Sequence, residues 1–407
     1  MADVDYEVEL LSKLVSLDTD SNEKKNYDKC CRLISDEAKQ LGLDAQILDG
    51  KTVLKNDERP RPNVVVTLDK DSDTTLILVT HYDIVPPGGG WAHDPFKVIV
   101  EDGKAYGRGA SDDKSAIVAC LAALARLKED ASADINVKLL VTCDEEVGGE
   151  AGIEYLIDNA NVRGDAALII DSGPEFVSCG ASGVIWGKVK VKGKQGHAGY
   201  PHKAVNAIDE AIKIILSLKE YKKKLSSRKS KLAPPPGSPE KRIWRRLSVT
   251  MIHSGEKENI IPGECEIRFD LRALPEENIS ELKNETQDFV TAEARKKGVD
   301  ASFEVIHVLP GYYTDPGHPL VRSLGEAVKK VSGQELPVCA DLGGNDGSFV
   351  AKVKIPVACF GPLREGTNYH GIDEFVYLKD IAFVRDVIVD MCQDGRKKLG
   401  HDEMLVR

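Results

Sequence analysis

A chain of 407 residues with 42% hydrophobic and 30% charged side chains is too long for one ordinary core, and two or three domains are expected. No apolar run approaches the roughly 20 residues of a membrane helix, and the start from Met1 to Glu7 lacks the basic and apolar stretches of a secretory signal, so a soluble, cytoplasmic chain is expected. The formal charge is −11, yet residues 219–246 carry eleven Lys and Arg against two acids; the remainder sits near −20 and would repel nucleic acid.

Short runs rich in Val, Ile and Leu at 63–68, 75–80, 137–143, 166–170 and 355–360 read as buried strands, being continuous rather than alternating. Between them lies the helical pattern 113–128, with Ile117, Leu121, Leu124 and Leu127 at helical spacing. Strands alternating with helices imply an α/β layered domain. The middle of the chain differs. Residues 184–194, 247–252 and 264–272 alternate polar and apolar side chains as half-exposed antiparallel strands do, and helical stretches at 204–218 and 277–297 accompany them. A small α+β domain at 182–304 is therefore expected as an insertion between two parts of the α/β domain, 1–181 and 305–407, the latter resuming with a helix at 319–331. The basic stretch 219–246 centres on Pro-Pro-Pro-Gly and reads as a loop, either a solvated insertion or a dock for an acidic partner. Nine scattered cysteines without a C-x-x-C pair read as small buried apolar residues rather than a disulfide frame.

Acids and histidines gather where the strands end. Thr80-His81-Tyr82-Asp83, Cys143-Asp144-Glu145-Glu146 and Asp171-Ser172-Gly173 follow three strands, the edge where open α/β sheets bind ligands. A Gly-rich turn, Gly107 to Lys114, opens the 113–128 helix with Asp112 and Asp113, and Asn368-Tyr369-His370-Gly371 lies near the end. One Asp before a helix is usually only a cap. Five such clusters on one edge would repel unless protonated, paired or bridged by metal, and metal is the economical explanation.

The ordered series H-x-D, G-R-G-x-x-D-x-K, D-E-E, a later Asp, G-H-x-x-x-P-H, N-x-I-P-G-E, D-L-R, G-G-x-D-G and a final His resembles a known family. It is that of acetylornithine deacetylase, succinyl-diaminopimelate desuccinylase, aminoacylase, carboxypeptidases and related di-zinc metallopeptidases. The resemblance spans about residues 75–385. It implies a zinc-exopeptidase-like catalytic domain with an inserted lid that also dimerises.

Carried onto this chain, the resemblance implies one Zn(2+) held by His81 and Asp171, a second by Glu146 and His370, and Asp112 bridging them, with Co(2+) or Mn(2+) as possible substitutes. Imidazole and carboxylate suit these ions, and a pair about 3.5–4 Å apart activates water and polarises a carbonyl. Asp83 would orient His81. Glu145 would be the general base. His197, reaching from the other subunit, would hydrogen-bond the reaction oxyanion. Asn259 and Arg272 would hold the substrate, Arg272 through a carboxylate, and Gly343 and Gly344 would line its pocket. A cis peptide would follow Asp112. Asp171 stands where the deacetylases and desuccinylases carry Glu and where aminopeptidases and dipeptidases more often carry Asp.

The expected activity is hydrolysis of the amide bond of an N-acyl amino acid or short peptide. A homodimer without membrane or nucleic-acid partners is expected. The alternative is an inactive protein that keeps the fold to bind an amino acid or partner.

Overall fold

The computed structural model describes residues 2–55 and 57–400. In chain order, helices α1 (Ala2–Val15) and α2 (Tyr27–Gln40) precede strands β1 (Asp44–Asp49), β2 (Pro62–Leu68) and β3 (Thr75–His81). Helix α3 (Lys114–Glu129) then leads to β4 (Asn136–Thr142), β5 (Ala166–Ile169) and β6 (Val177–Ala181). The middle of the chain supplies β7 (Val184–Lys192), β8 (Gly196–His197), α4 (Ala207–Ser226), β9 (Arg246–Ser254), β10 (Ile260–Ile261), β11 (Glu264–Arg272), α5 (Ile279–Lys297) and β12 (Asp300–Leu309). Helix α6 (Pro319–Ser332), β13 (Val357–Cys359) and α7 (Leu378–Cys392) complete it.

These elements form two compact units, one of residues 1–180, 314–339 and 345–407, the other of 181–313 and 340–344. The second unit thus runs past 304, because β12 continues to Leu309, and it takes in a short later segment.

In the first unit the sheet runs β1-β2-β4-β3-β5-β13-β6. Strands β4, β3, β5 and β13 are mutually parallel, whereas β1, β2 and β6 join antiparallel. The parallel strands are buried along nearly their whole length, which explains their unbroken apolar runs. Helix α3 is buried from Lys114 through Leu124. Its Lys114 is fully buried and donates from Nζ to the carbonyls of Leu14 (3.0 Å) and Leu17 (2.8 Å), so a cation satisfies the orphan acceptors at the end of α1. That contact fixes the start of α3, and with it Asp112. All nine cysteines are buried.

The second unit is a four-stranded antiparallel sheet, β9-β11-β7-β12, with β8 and β10 as a separate two-stranded ribbon. Alternate residues Ile185, Val189, Val191, Ile267, Phe269 and Leu271 face α4 and α5 in one apolar core. The basic stretch is not a loop throughout. Helix α4 continues to Ser226, because Leu218, Tyr221 and Leu225 extend the buried stripe while Lys222 to Lys224 face outward, and Tyr221 stacks on Phe289 at 4.0 Å.

Candidate metal centre

Five potential ligands converge at the carboxyl ends of the parallel strands. His81 is the last residue of β3, Asp112 lies in the turn before α3, Glu146 sits in a single helical turn after β4, and Asp171 follows β5. His370 lies in the loop before α7 with a positive φ of 60°. The turn carrying Asp112 needs Gly109, whose φ is +79° and where a Cβ would meet Ile84 Cγ2 at 2.6 Å. The Asp112–Asp113 peptide is cis.

The ligand atoms of His81, Asp112 and Asp171 lie within 4.8 Å of one another, as do those of Asp112, Glu146 and His370. Asp112 belongs to both groups through different oxygens. Its Oδ1 lies 3.1 Å from His81 Nε2 and its Oδ2 lies 3.0 Å from His370 Nε2, which is also 3.2 Å from Glu146 Oε1. A carboxylate splitting its oxygens between two imidazoles has the geometry of a bridge.

Burial raises the Asp171 carboxyl to about 8, with the charge of Asp112 adding to it. Glu146 and Glu145 are also raised by burial, Glu146 further by Asp112 and Glu145 further by Asp346 and Asp171. His370 is pulled up to about 10 by hydrogen bonds to Asp112 and Glu146. Burial opposes a charge on His81, yet its bonds to Asp112 and Asp83 outweigh that and hold it well above its usual range. So many acids in a buried space call for positive charge, and the mixed imidazole and carboxylate donors fit divalent metal.

The supporting groups are set by backbone contacts. His81 Nδ1 meets the carbonyl of Asp83 at 3.0 Å and its carboxylate at 3.4 Å. That carboxylate also accepts from the backbone N–H groups of Glu145 (3.2 Å) and Glu146 (3.3 Å), tying the β3 end to the β4 end. Behind them the buried Asp144 receives Lys24 Nζ (2.6 Å), Tyr27 Oη (3.1 Å) and Arg61 Nε (2.5 Å). Asp346, from the Gly-Gly-Asn-Asp-Gly turn, is buried, accepts from Thr142 Oγ1 at 3.3 Å and is raised to about 7 by burial.

The sequence alone assigns no role to Lys24, Arg61, Asp346, Arg108 or Glu374. Arg108 and Asp346 lie inside motifs, which was a usable signal. Lys24 and Arg61 lie in segments with no motif around them.

The remaining expected residues lie in the second unit. His197 and Asn259 come together in the ribbon, where His197 pairs with Ile260 and the N–H of Ala198 donates to the Asn259 carbonyl at 3.0 Å. Both are exposed. Arg272 ends β11, giving its Nε to Asp270 at 2.8 Å, and Gly343 and Gly344 belong to the segment 340–344.

Two His-containing acid groups that share a carboxylate at the carboxyl edge of an α/β sheet have the donor set of a hydrolytic metal centre. A family model described as peptidase family M20/M25/M40 matches residues 77–394, and the chain belongs to that family. It is accordingly a metal-dependent enzyme that hydrolyses amide bonds. Among curated relatives, a succinyl-diaminopimelate desuccinylase of Acidiphilium cryptum is 31% identical over 75% of this chain and 79% of its own. An uncharacterized metallohydrolase of Methanocaldococcus jannaschii is 28% identical over 81% and 83%. The metallo-carboxypeptidase Sso-CP2 of Sulfolobus solfataricus shares the fold with a TM-score of 0.79 at 19% identity, covering 95% of this chain and 98% of that one. Among the described residues no helix is long and apolar enough to cross a membrane.

Proposed function

We propose that this enzyme hydrolyses the amide bond of an N-acyl amino acid or short peptide bearing a free carboxylate, with two zinc ions. The carrying observation is the pair of ligand groups sharing Asp112. His81 and Asp171 would hold one ion, Glu146 and His370 the other, with Asp112 between them. Bound zinc would lower the pKa of a water toward ~7 and polarise the scissile carbonyl.

Glu145 holds no ligand position, and its backbone is fixed by Asp83, so its carboxylate is free to take a proton from the attacking water and hand it to the nitrogen as the C–N bond breaks. Asp83 keeps the His81 ring oriented through Nδ1. Arg272 would bind the substrate carboxylate, Asn259 would hold the substrate backbone, and Gly343 and Gly344 would leave room for it.

His197 would donate to the oxyanion from the partner of a homodimer. A lid-to-lid dimer is supported by an exposed apolar stripe on α4, Ile208, Ile212 and Leu216, beside Met251 and Ile252 on the edge strand β9. Acetyl-, succinyl- and glutamyl-amino acids beside dipeptides, assayed with zinc and with cobalt, test the reading; no turnover of any member with either metal would refute it.

A further inference from the structure

Arg246, the first residue of β9, stands directly across from Arg272 of β11, which in turn pairs with Val184 of β7, itself opposite Leu309 of β12. Their neighbours Leu247, Leu271 and Ile185 face the helices, so this row lies on the other face of the sheet. Two guanidinium groups directly opposed across strands repel and are normally selected against.

Among the described residues, only one of the two is hydrogen-bonded to a carboxylate. Arg272 binds Asp270, whose other oxygen accepts from Trp186 Nε1 at 3.0 Å. Among the described residues Arg246 donates to neutral acceptors: the carbonyls of Trp244 (2.9 Å) and Leu342 (2.6 Å) and the hydroxyl of Ser182 (2.9 Å). Its guanidinium also lies 5.2 Å from the centroid of the Trp244 ring. Burial and the charge of Arg272 push Arg246 down to about 10, against the opposing charge of Asp270. A half-buried cation with no carboxylate in hydrogen-bond contact among the described residues, beside a second cation and sharing only the more distant charge of Asp270, is a costly arrangement unless an anion joins it.

The position matches the substrate segment. Leu342, which accepts from Arg246, immediately precedes Gly343 and Gly344. Gly344 rests on the same row, where a Cβ would meet Leu309 Cδ2 and Val184 Cγ2 at 2.9 Å, whereas a Cβ on Gly343 would meet nothing within 4 Å.

We propose that Arg246 is a second carboxylate-binding residue, forming with Arg272 a paired-guanidinium site at the end of the lid sheet for an anionic group of the substrate. The proposal rests on the amide-hydrolase reading and extends it. Asp270 offsets one of the two charges, so the site takes a single carboxylate, gripped by the planar forks of both arginines.

The test pairs each of a panel of N-acyl amino acids and dipeptides with its C-terminal carboxamide, measuring turnover and calorimetric binding. The metal-loaded wild type is compared with Arg246→Gln, Arg272→Gln and the double variant. Gln at 246 keeps an N–H donor for the Leu342 carbonyl but removes the charge.

We expect kcat/KM for the acids to fall about 10- to 100-fold in Arg246→Gln, while the carboxamides change less than about 3-fold. The double variant should lose less than the product of the single losses, because both residues hold one group. Equal losses on acid and carboxamide would make Arg246 only a tie for segment 340–344 and overturn the proposal, as would a wild type that prefers no acid over its carboxamide in turnover or binding. A chain that binds the acids preferentially but hydrolyses nothing would instead refute the hydrolase reading alone.

Discussion

The guanidinium of Arg108 meets the carboxylate of Glu374 at 2.5 Å, both side chains shut off from solvent. The same carboxylate accepts from the backbone N–H groups of Gly109 (3.1 Å), Ser111 (2.8 Å) and Asp112 (3.0 Å), while the other arm of Arg108 donates to the carbonyl of Gly371 at 2.7 Å. One ion pair therefore joins the turn bearing Asp112 to the loop bearing His370. Glu374→Ala strands a buried cation and three N–H groups, and should destabilise the chain by about 3–5 kcal/mol. Denaturant unfolding measures this, and a loss under about 1 kcal/mol would show that the pair is dispensable.

Glu145→Gln should reduce turnover at least ~100-fold, the lower end for a lost general base, with metal content unchanged. The residue lies outside both ligand groups, so the expected split is chemistry lost and metal kept. Steady-state kinetics with elemental analysis on the same preparation checks it; retained turnover would remove Glu145 from the mechanism.

Metal saturation should give about two ions per chain, and Asp112→Ala should weaken both, since each His shares an oxygen of Asp112. Glu146→Ala should instead release one ion and leave the His81 and Asp171 side occupied. Full wild-type activity with a single tightly held ion would rule out the two-metal scheme.

Leu216→Glu places a charge in the exposed stripe of α4, and should shift the protein from dimer to monomer on sizing with activity lost. Mixing Glu145→Gln with His197→Ala chains should restore roughly a quarter of wild-type activity, because one of the two sites in each heterodimer is intact. A fully active monomer is incompatible with His197 acting in trans.

Strands β2, β3, β4, β5 and β13 of the main sheet and the helix expected at 113–128, found at Lys114–Glu129, are legible because burial on both faces leaves an unbroken apolar record, whereas the largely exposed β1 and the short β6 are not. Strand β12 leaves little trace in the sequence. It is an edge strand of partly exposed residues until Leu309, so its pattern is weak, and the inserted unit was expected to end too early. The lysines at the end of α4 read as loop from sequence because Pro-Pro-Pro-Gly follows them, while the buried Tyr221 and Leu225 carry the helix on to Ser226.

The order of rare residue types along the chain determined the family, since His, Asp and Glu at strand ends are few and chemically specific. What only the tertiary structure decided is how they meet. That Asp112 turns one oxygen to His81 and the other to His370 depends on packing two loops far apart in sequence. That Arg108 finds Glu374, 266 residues away, and that Arg246 faces Arg272 across a strand pair, leaves no local trace, because neither hydrophobic period nor motif spacing encodes which distant charges share one site.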